Sequence, residues 1–417
     1  MQPGRILLSC AILVVLGMPA AAAPDEELLG KAAGYPIGSP ANWFYDERVR
    51  VGSFSHLDSI LPHYTLKKAA SPLPLRKTST EPKVEYRFEQ QTHTLDDFLN
   101  RQRVTGFLLI KDGELLTERY QYNRNADHRL VSHSMAKSIV SLAVGMALAE
   151  KKIATLDDTI AKYVPGLAGN PYGETTIRNM LRMASGVPFQ ESYDGKDDLA
   201  KFNRIRLTQD SVAALRAFTT REVEQGSRFH YASNQTVALT LLLRAVTGTS
   251  VSEYLTTRLW QPMGAEADAT WVRIKDGTEV GSGSFNAVLR DYGRLGILLA
   301  NDGALGERRI VPKDYLLDAT DWHRAARGVR TAQGDTVFRL WLPVLAVSRR
   351  EAPVRAARRL RAIDFRRSRT QAGDGHYRGG EERQRGEGAA RARARCAVAR
   401  GRRQIRKLVS RAQHRNR

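Results

Sequence analysis

From residue 134 to 150 the chain leaves little choice of local structure. Ile139, Val140, Leu142, Ala143, Met146 and Ala147 recur at the spacing of a helix face, after a run (Ser132, His133, Ser134) of the kind that caps helices. A stripe this apolar has to be buried, so the segment predicts a core helix. Its head reads Ser134-Met135-Ala136-Lys137. Residues three apart share a helix face, which sets the Lys137 amine beside the Ser134 hydroxyl, where a desolvated amine can lose its proton and act as base. The unpaired N–H groups and dipole of a helix start also favour negative charge developing on an attacked acyl oxygen. A Ser-x-x-Lys arises by chance about once in a chain of this length. The plain alternative is therefore an ordinary surface serine and lysine on a core helix.

A serine and lysine acting together need a third group to relay the proton. Tyr231, in Phe229-His230-Tyr231-Ala232-Ser233-Asn234, stands just before a second apolar helix. Val237, Ala238, Leu241, Leu242 and Ala245 point inward along 234–247, and Gly248 ends the helix. The tyrosine thus occupies a short loop at a helix head, either facing a cleft or packed in the core with its hydroxyl tied to backbone. A hairpin is read at 106–110 and 115–120 around Asp112-Gly113. With a middle of short elements, these pieces describe an α/β sandwich (α+β in composition) with an inserted all-α region and the active site between them. Residues 24–100, which hold Pro36, Pro40, Pro62, Pro72, Pro74 and Pro82, read as an N-terminal extension. Its Trp43-Phe44-Tyr45 and Leu73-Pro74-Leu75 are expected to pack on the body.

Residues 1–23 read as a signal peptide: Arg5, an apolar stretch over 6–16, then Pro19 and four alanines before Asp25-Glu26-Glu27. This predicts an exported protein, periplasmic or secreted, without a stable membrane anchor after cleavage. A lipoprotein box at Cys10 is the alternative. Cys10 and Cys396 are the two cysteines, so residues 24–339 have no disulfide or thiolate site, and the histidines are scattered without ligand spacing. No metal or cofactor is expected. Of the formal charge of +21, +17 falls in residues 340–417, leaving +4 for the rest. The body is nearly neutral, which removes the case for a nucleic-acid partner there.

Several further segments carry a resemblance. They are the stretch 105–113 (Thr-Gly-Phe-Leu-Leu-Ile-Lys-Asp-Gly), His133 to Ser138, Leu156-Asp157-Asp158, 176–187 around Arg178-Asn179-Met180-Leu181, Leu259-Trp260-Gln261-Pro262-Met263-Gly264, and 286–303. In order and spacing the chain resembles the penicillin-recognising serine hydrolases, which have the β-lactamase/transpeptidase-like fold of an antiparallel sheet flanked by helices. Within them it is similar to the nylon-oligomer (6-aminohexanoate-dimer) hydrolase branch and related esterases. The resemblance implies a serine amidase or esterase acting on a small linear substrate through an acyl-enzyme, with Ser134 as nucleophile, Lys137 as general base and Tyr231 as proton relay. It also marks the loop 190–194 as substrate-contacting, with Tyr193 and Asp194 meeting an amino group; the alternative there is a solvated acidic loop. Ser233 stands where the lactamase branch has the asparagine of Tyr-x-Asn, with Asn234 one residue late. Both are read as substrate-binding. That departure, and the lack of Ser-Asp-Asn, argue against a true β-lactamase. A DD-peptidase activity would use the same three residues.

After Arg339 the text becomes rich in Arg, Ala and Gly where the family's last strands belong. Residues 339–384 can be encoded by codons that, read one nucleotide later, yield strand-like text of the family's C-terminal kind, including Gly-Val-Tyr-Gly-Gln on the strand that lines the cleft. The stretch 340–417 is accordingly read as an out-of-frame tail, and the domain of 101–339 as incomplete. One oxyanion-hole donor would be lost with it, which costs about 10²–10³ in rate. The rival readings are an inactive product of a disrupted gene and an Arg-rich nucleic-acid-binding arm.

Overall fold

The helix demanded by the apolar run forms at Ala136–Ala149, and twelve of its fourteen residues are buried. It is therefore enclosed on all sides rather than along one stripe, as a helix with few charges requires. Gly145 lies against the ring of Tyr315, where any Cβ would overlap the ring carbons. The computed structural model describes residues 23–320 apart from Glu89. The signal-peptide reading, apart from its last residue, and the tail reading lie outside those residues.

The second apolar helix, Ser233–Thr247, packs on the first. It ends where Gly248 takes a left-handed backbone at φ 71. Beside this pair runs a four-stranded antiparallel sheet in the order His63–Leu66, Ala269–Val272, Phe285–Val288, Arg129–Val131. Its two central strands are buried at every position, so both sheet faces are covered. Trp271, Phe285, Trp260 and Tyr292 meet edge to face there, with centroids 5.2–6.2 Å apart.

The expected hairpin is present as Gly106–Lys111 and Glu114–Tyr120. Asp112 and Gly113 both have positive φ, 54 and 85, the backbone of a turn whose twist matches the strands. Helix Leu289–Ala300 lies on this hairpin, with Gly293 admitting Leu108 and Ile110. The middle of the chain is all-α, including Ile177–Leu181, Asp198–Thr208 and Ser211–Arg216, around the buried trio Phe189, Phe202 and Phe218.

The stretch read as an extension supplies edge strands to the two larger sheets: His63–Leu66 to the four-stranded one, and Arg76–Lys77, parallel to Glu114 and Leu115, to the hairpin. Leu73 is tied down as expected: its N–H donates to Gly264 O and its carbonyl accepts from the buried Arg294, at 2.9 and 2.8 Å. Trp43 and Phe44 pack on Phe54, but Tyr45 is 60% exposed. Among the described residues no helix is long and apolar enough to cross a membrane.

Candidate active site

Strand Arg129–Val131 leads through one 3-10 turn, His133–Met135, into the helix Ala136–Ala149. Ser132 N donates to Phe285 O at 2.7 Å, fastening the turn to the neighbouring strand. His133 has φ 43, a strained backbone for a residue with a side chain, and its ring stands edge-on to Phe54 with centroids 4.8 Å apart. The expected capping by this run does not occur. Met135 holds the N-cap position without a side-chain bond, and Ser132 Oγ donates to His133 O instead.

The Ser134 hydroxyl is occupied by two other partners. Lys137 Nζ lies 3.0 Å from Ser134 Oγ, and Tyr231 OH donates to the same oxygen at 2.9 Å. The lysine is only 7% exposed and lies 5.0 Å from the centre of the Tyr231 ring, so that ring covers the amine. Three residues from two helix heads thus converge on one oxygen. Tyr231 precedes the helix Ser233–Thr247 and is held by its neighbour: His230 N donates to Met183 O, and His230 Nε2 contacts Phe189 O, each at 2.7 Å.

Lys137 Nζ has a further acceptor, the carbonyl of Ser282, at 2.8 Å. The turn carrying Ser282 is pinned on both sides, because Trp271 Nε1 donates to Val280 O and to Gly283 O, both at 3.0 Å. Arg206, wholly buried with its pKa brought down to about 10 by burial, donates to Glu279 O at 2.9 Å. The Glu279 carboxyl is also buried, which pushes its pKa up, and accepts from Ser252 N and Oγ at 2.9 and 3.1 Å. Sequence reasoning missed Ser282 and its supports. A backbone carbonyl 145 residues from the amine has no residue-type signature.

The loop residues read as substrate-contacting divide. Tyr193 is 43% exposed, at φ 61, and its hydroxyl donates to Glu191 at 2.5 Å. Asp194 is exposed and accepts from Lys196 N and Asp197 N, bonds that hold its carboxyl below the usual range. It therefore shapes its own turn. Ser233 donates from N and Oγ to Glu191, at 2.8 and 2.7 Å. Asn234 does not face the cleft: it is fully buried and donates to Tyr172 OH at 2.7 Å, because one step along the helix rotates it inward. Glu191 was missed as a functional candidate, although it sits in the loop already singled out. Among the described residues no His, Cys, Asp or Glu cluster is placed to hold a metal ion.

The chain is 26% identical over 296 residues to a 6-aminohexanoate-dimer hydrolase of Paenarthrobacter ureafaciens, covering 69% of this chain and 72% of the relative. It is 22% identical over 238 residues to a Salmonella typhimurium protein named as a D-alanyl-D-alanine carboxypeptidase, covering 51% and 54%. Among solved structures, one from Bacillus anthracis named as a 6-aminohexanoate-dimer hydrolase matches with a TM-score of 0.60 at 21% identity. It covers 67% of this chain and 76% of that one, a likeness of fold. The Beta-lactamase family model matches residues 92–340. With more than half of its length under that match, the chain belongs to the Beta-lactamase family and is a serine hydrolase of that kind.

Proposed function

We propose that this chain cleaves amide or ester bonds of small linear substrates through an acyl-enzyme on Ser134. The observation that carries the reading is the meeting of Lys137 Nζ and Tyr231 OH on Ser134 Oγ, at 3.0 and 2.9 Å. Lys137 takes the hydroxyl proton as Ser134 Oγ bonds to the substrate carbonyl carbon. Tyr231 then delivers its phenol proton to the departing nitrogen or oxygen as that atom's bond to the carbon breaks, and the proton held by Lys137 restores the phenol. A water molecule repeats the sequence against the ester and restores the serine. The relative named for the 6-aminohexanoate dimer makes a linear amide the first substrate to try.

A serine-directed fluorophosphonate tests this on the purified full chain. Labelling is expected in the native protein and absent in Ser134→Ala. Labelling that survives that substitution sinks the proposal.

Two further parts of the proposal concern the chain's ends. Export after removal of residues 1–23 is supported by their charged, apolar and small-residue order. It predicts a mature N-terminus at Pro24, which N-terminal sequencing reads. The shifted-frame reading of 340–417 predicts an extra or missing nucleotide near codons 330–340. Resequencing that returns the same frame removes it.

A further inference from the structure

We propose that Glu191 is a positioning residue of this site, whose carboxylate holds Ser233 and thereby sets Tyr231 against Ser134. The inference rests on the acyl-enzyme reading above. Helix Ser233–Thr247 starts from Ala232, whose side chain offers no acceptor to the unpaired N–H groups of the first turn. Glu191 supplies one from a different segment. One carboxylate oxygen accepts from Ser233 N at 2.8 Å, and the other accepts from Ser233 Oγ at 2.7 Å and Tyr193 OH at 2.5 Å. A negative charge at that helix end is also favoured by the helix dipole.

The other acids of the same loop are engaged within it. Asp194 accepts from Lys196 N and Asp197 N, Asp197 from Ser192 N, Tyr193 N and Ala200 N, and Asp198 from Gln190 N. Glu191 is the loop carboxylate that crosses to the tyrosine-bearing segment. On the other side of Tyr231, Phe189 O and Met183 O hold His230. The phenol is thus suspended between two anchors, both drawn from residues 183–191, and its 2.9 Å reach to Ser134 depends on the pair. Because the half-exposed Tyr193 shares the carboxylate, a substrate touching Tyr193 is coupled to Tyr231 through one side chain.

A double-mutant cycle on the full chain tests this, read as the rate at which a fluorophosphonate modifies Ser134. Glu191→Ala is expected to slow labelling about tenfold, and Tyr231→Phe by a similar factor, because the phenol's hydrogen bond to the attacking Ser134 oxygen is lost whatever group leaves. The double variant should be slower than Tyr231→Phe by no more than about twofold, because Glu191 acts through the phenol. Glu191→Gln keeps an oxygen for the Ser233 amide and should recover most of the rate. Unchanged labelling in Glu191→Ala, or factors that multiply in the double variant, overturn the proposal. Native protein that is not labelled at all defeats the acyl-enzyme reading instead, and a crystal structure of Glu191→Ala then decides this one. A phenol displaced from Ser134 Oγ supports it, and one still within about 3.2 Å overturns it.

Discussion

Ser282 offers its carbonyl oxygen to Lys137 Nζ at 2.8 Å, giving the amine a fixed partner besides Ser134 Oγ. The amine is thereby aimed by the chain itself rather than left to rotate on four methylenes. Lys137→Ala should reduce acylation of Ser134 about 10²–10⁴-fold, the usual contribution of a positioned base. Lys137→Arg should not restore it, since a guanidinium stays protonated. The burst of nitrophenol released from p-nitrophenyl acetate measures both, and an undiminished burst in Lys137→Ala excludes the base role.

Tyr231→Phe keeps the ring over Lys137 and removes only the hydroxyl that reaches Ser134. If that hydroxyl feeds a proton to the leaving group, the loss should depend on what leaves. For a linear amide we expect a fall in kcat of about 10²–10³. For a p-nitrophenyl ester, whose leaving group needs no proton, the fall should be at least tenfold smaller. Equal losses on the two substrates would remove the relay role.

Trp271 donates one N–H to two carbonyls that flank Ser282. In Trp271→Phe the Gly283 carbonyl loses the indole donor while Val280 O keeps the Gly283 N–H, at a cost of about 1–3 kcal/mol. The turn also loses the fork that sets Ser282 toward Lys137. Acylation should slow by more than the lowered Tm alone explains when assayed 20 °C below that Tm. A rate equal to native under those conditions would show that the fork serves stability only.

Gly281 belongs to the same turn, and a Cβ there would overlap Thr240 Oγ1 on the helix that follows Tyr231. Gly281→Ala should cost about 1–3 kcal/mol by overpacking. Adding Thr240→Ala removes the obstructing oxygen and should return part of that stability. Denaturant unfolding of the two single variants and the double measures the coupling, and strict additivity would mean that the turn moves away instead.

Burial raises the Glu279 pKa in the folded protein above its unfolded value. The stability this group contributes is therefore full below the unfolded pKa and is lost as pH rises through the folded one. Glu279→Gln keeps an acceptor for Ser252 N and has no charge to bury. It should unfold at a higher temperature than native at pH 8, with the gap closing as pH falls toward the ordinary carboxylate range. A gap that widens on acidification would reverse the assignment.

The placement of Ser134, Lys137 and Tyr231 at helix heads was legible because apolar spacing marks where each of the two helices begins. The hairpin around Asp112-Gly113 was legible too, since a two-residue turn is decided by the two residues in it. Asn234 and Ser233 show where such reading ends. Both are polar and adjacent, yet the turn of the helix sends one into the interior toward Tyr172 and leaves the other for Glu191.

What the amino-acid sequence determined alone was the two apolar helices and the hairpin, and that the helix heads carry a seryl hydroxyl, a lysyl amine and a phenol. Tertiary structure alone decided that those three atoms meet, and what holds them there. The meeting spans 97 residues from Tyr231 to Ser134 and 145 from Lys137 to Ser282. Distances of that kind follow from strand order and helix packing, and hydrogen bonds to backbone carbonyls, such as those of Ser282, Val280 and Gly283, leave no trace in residue type.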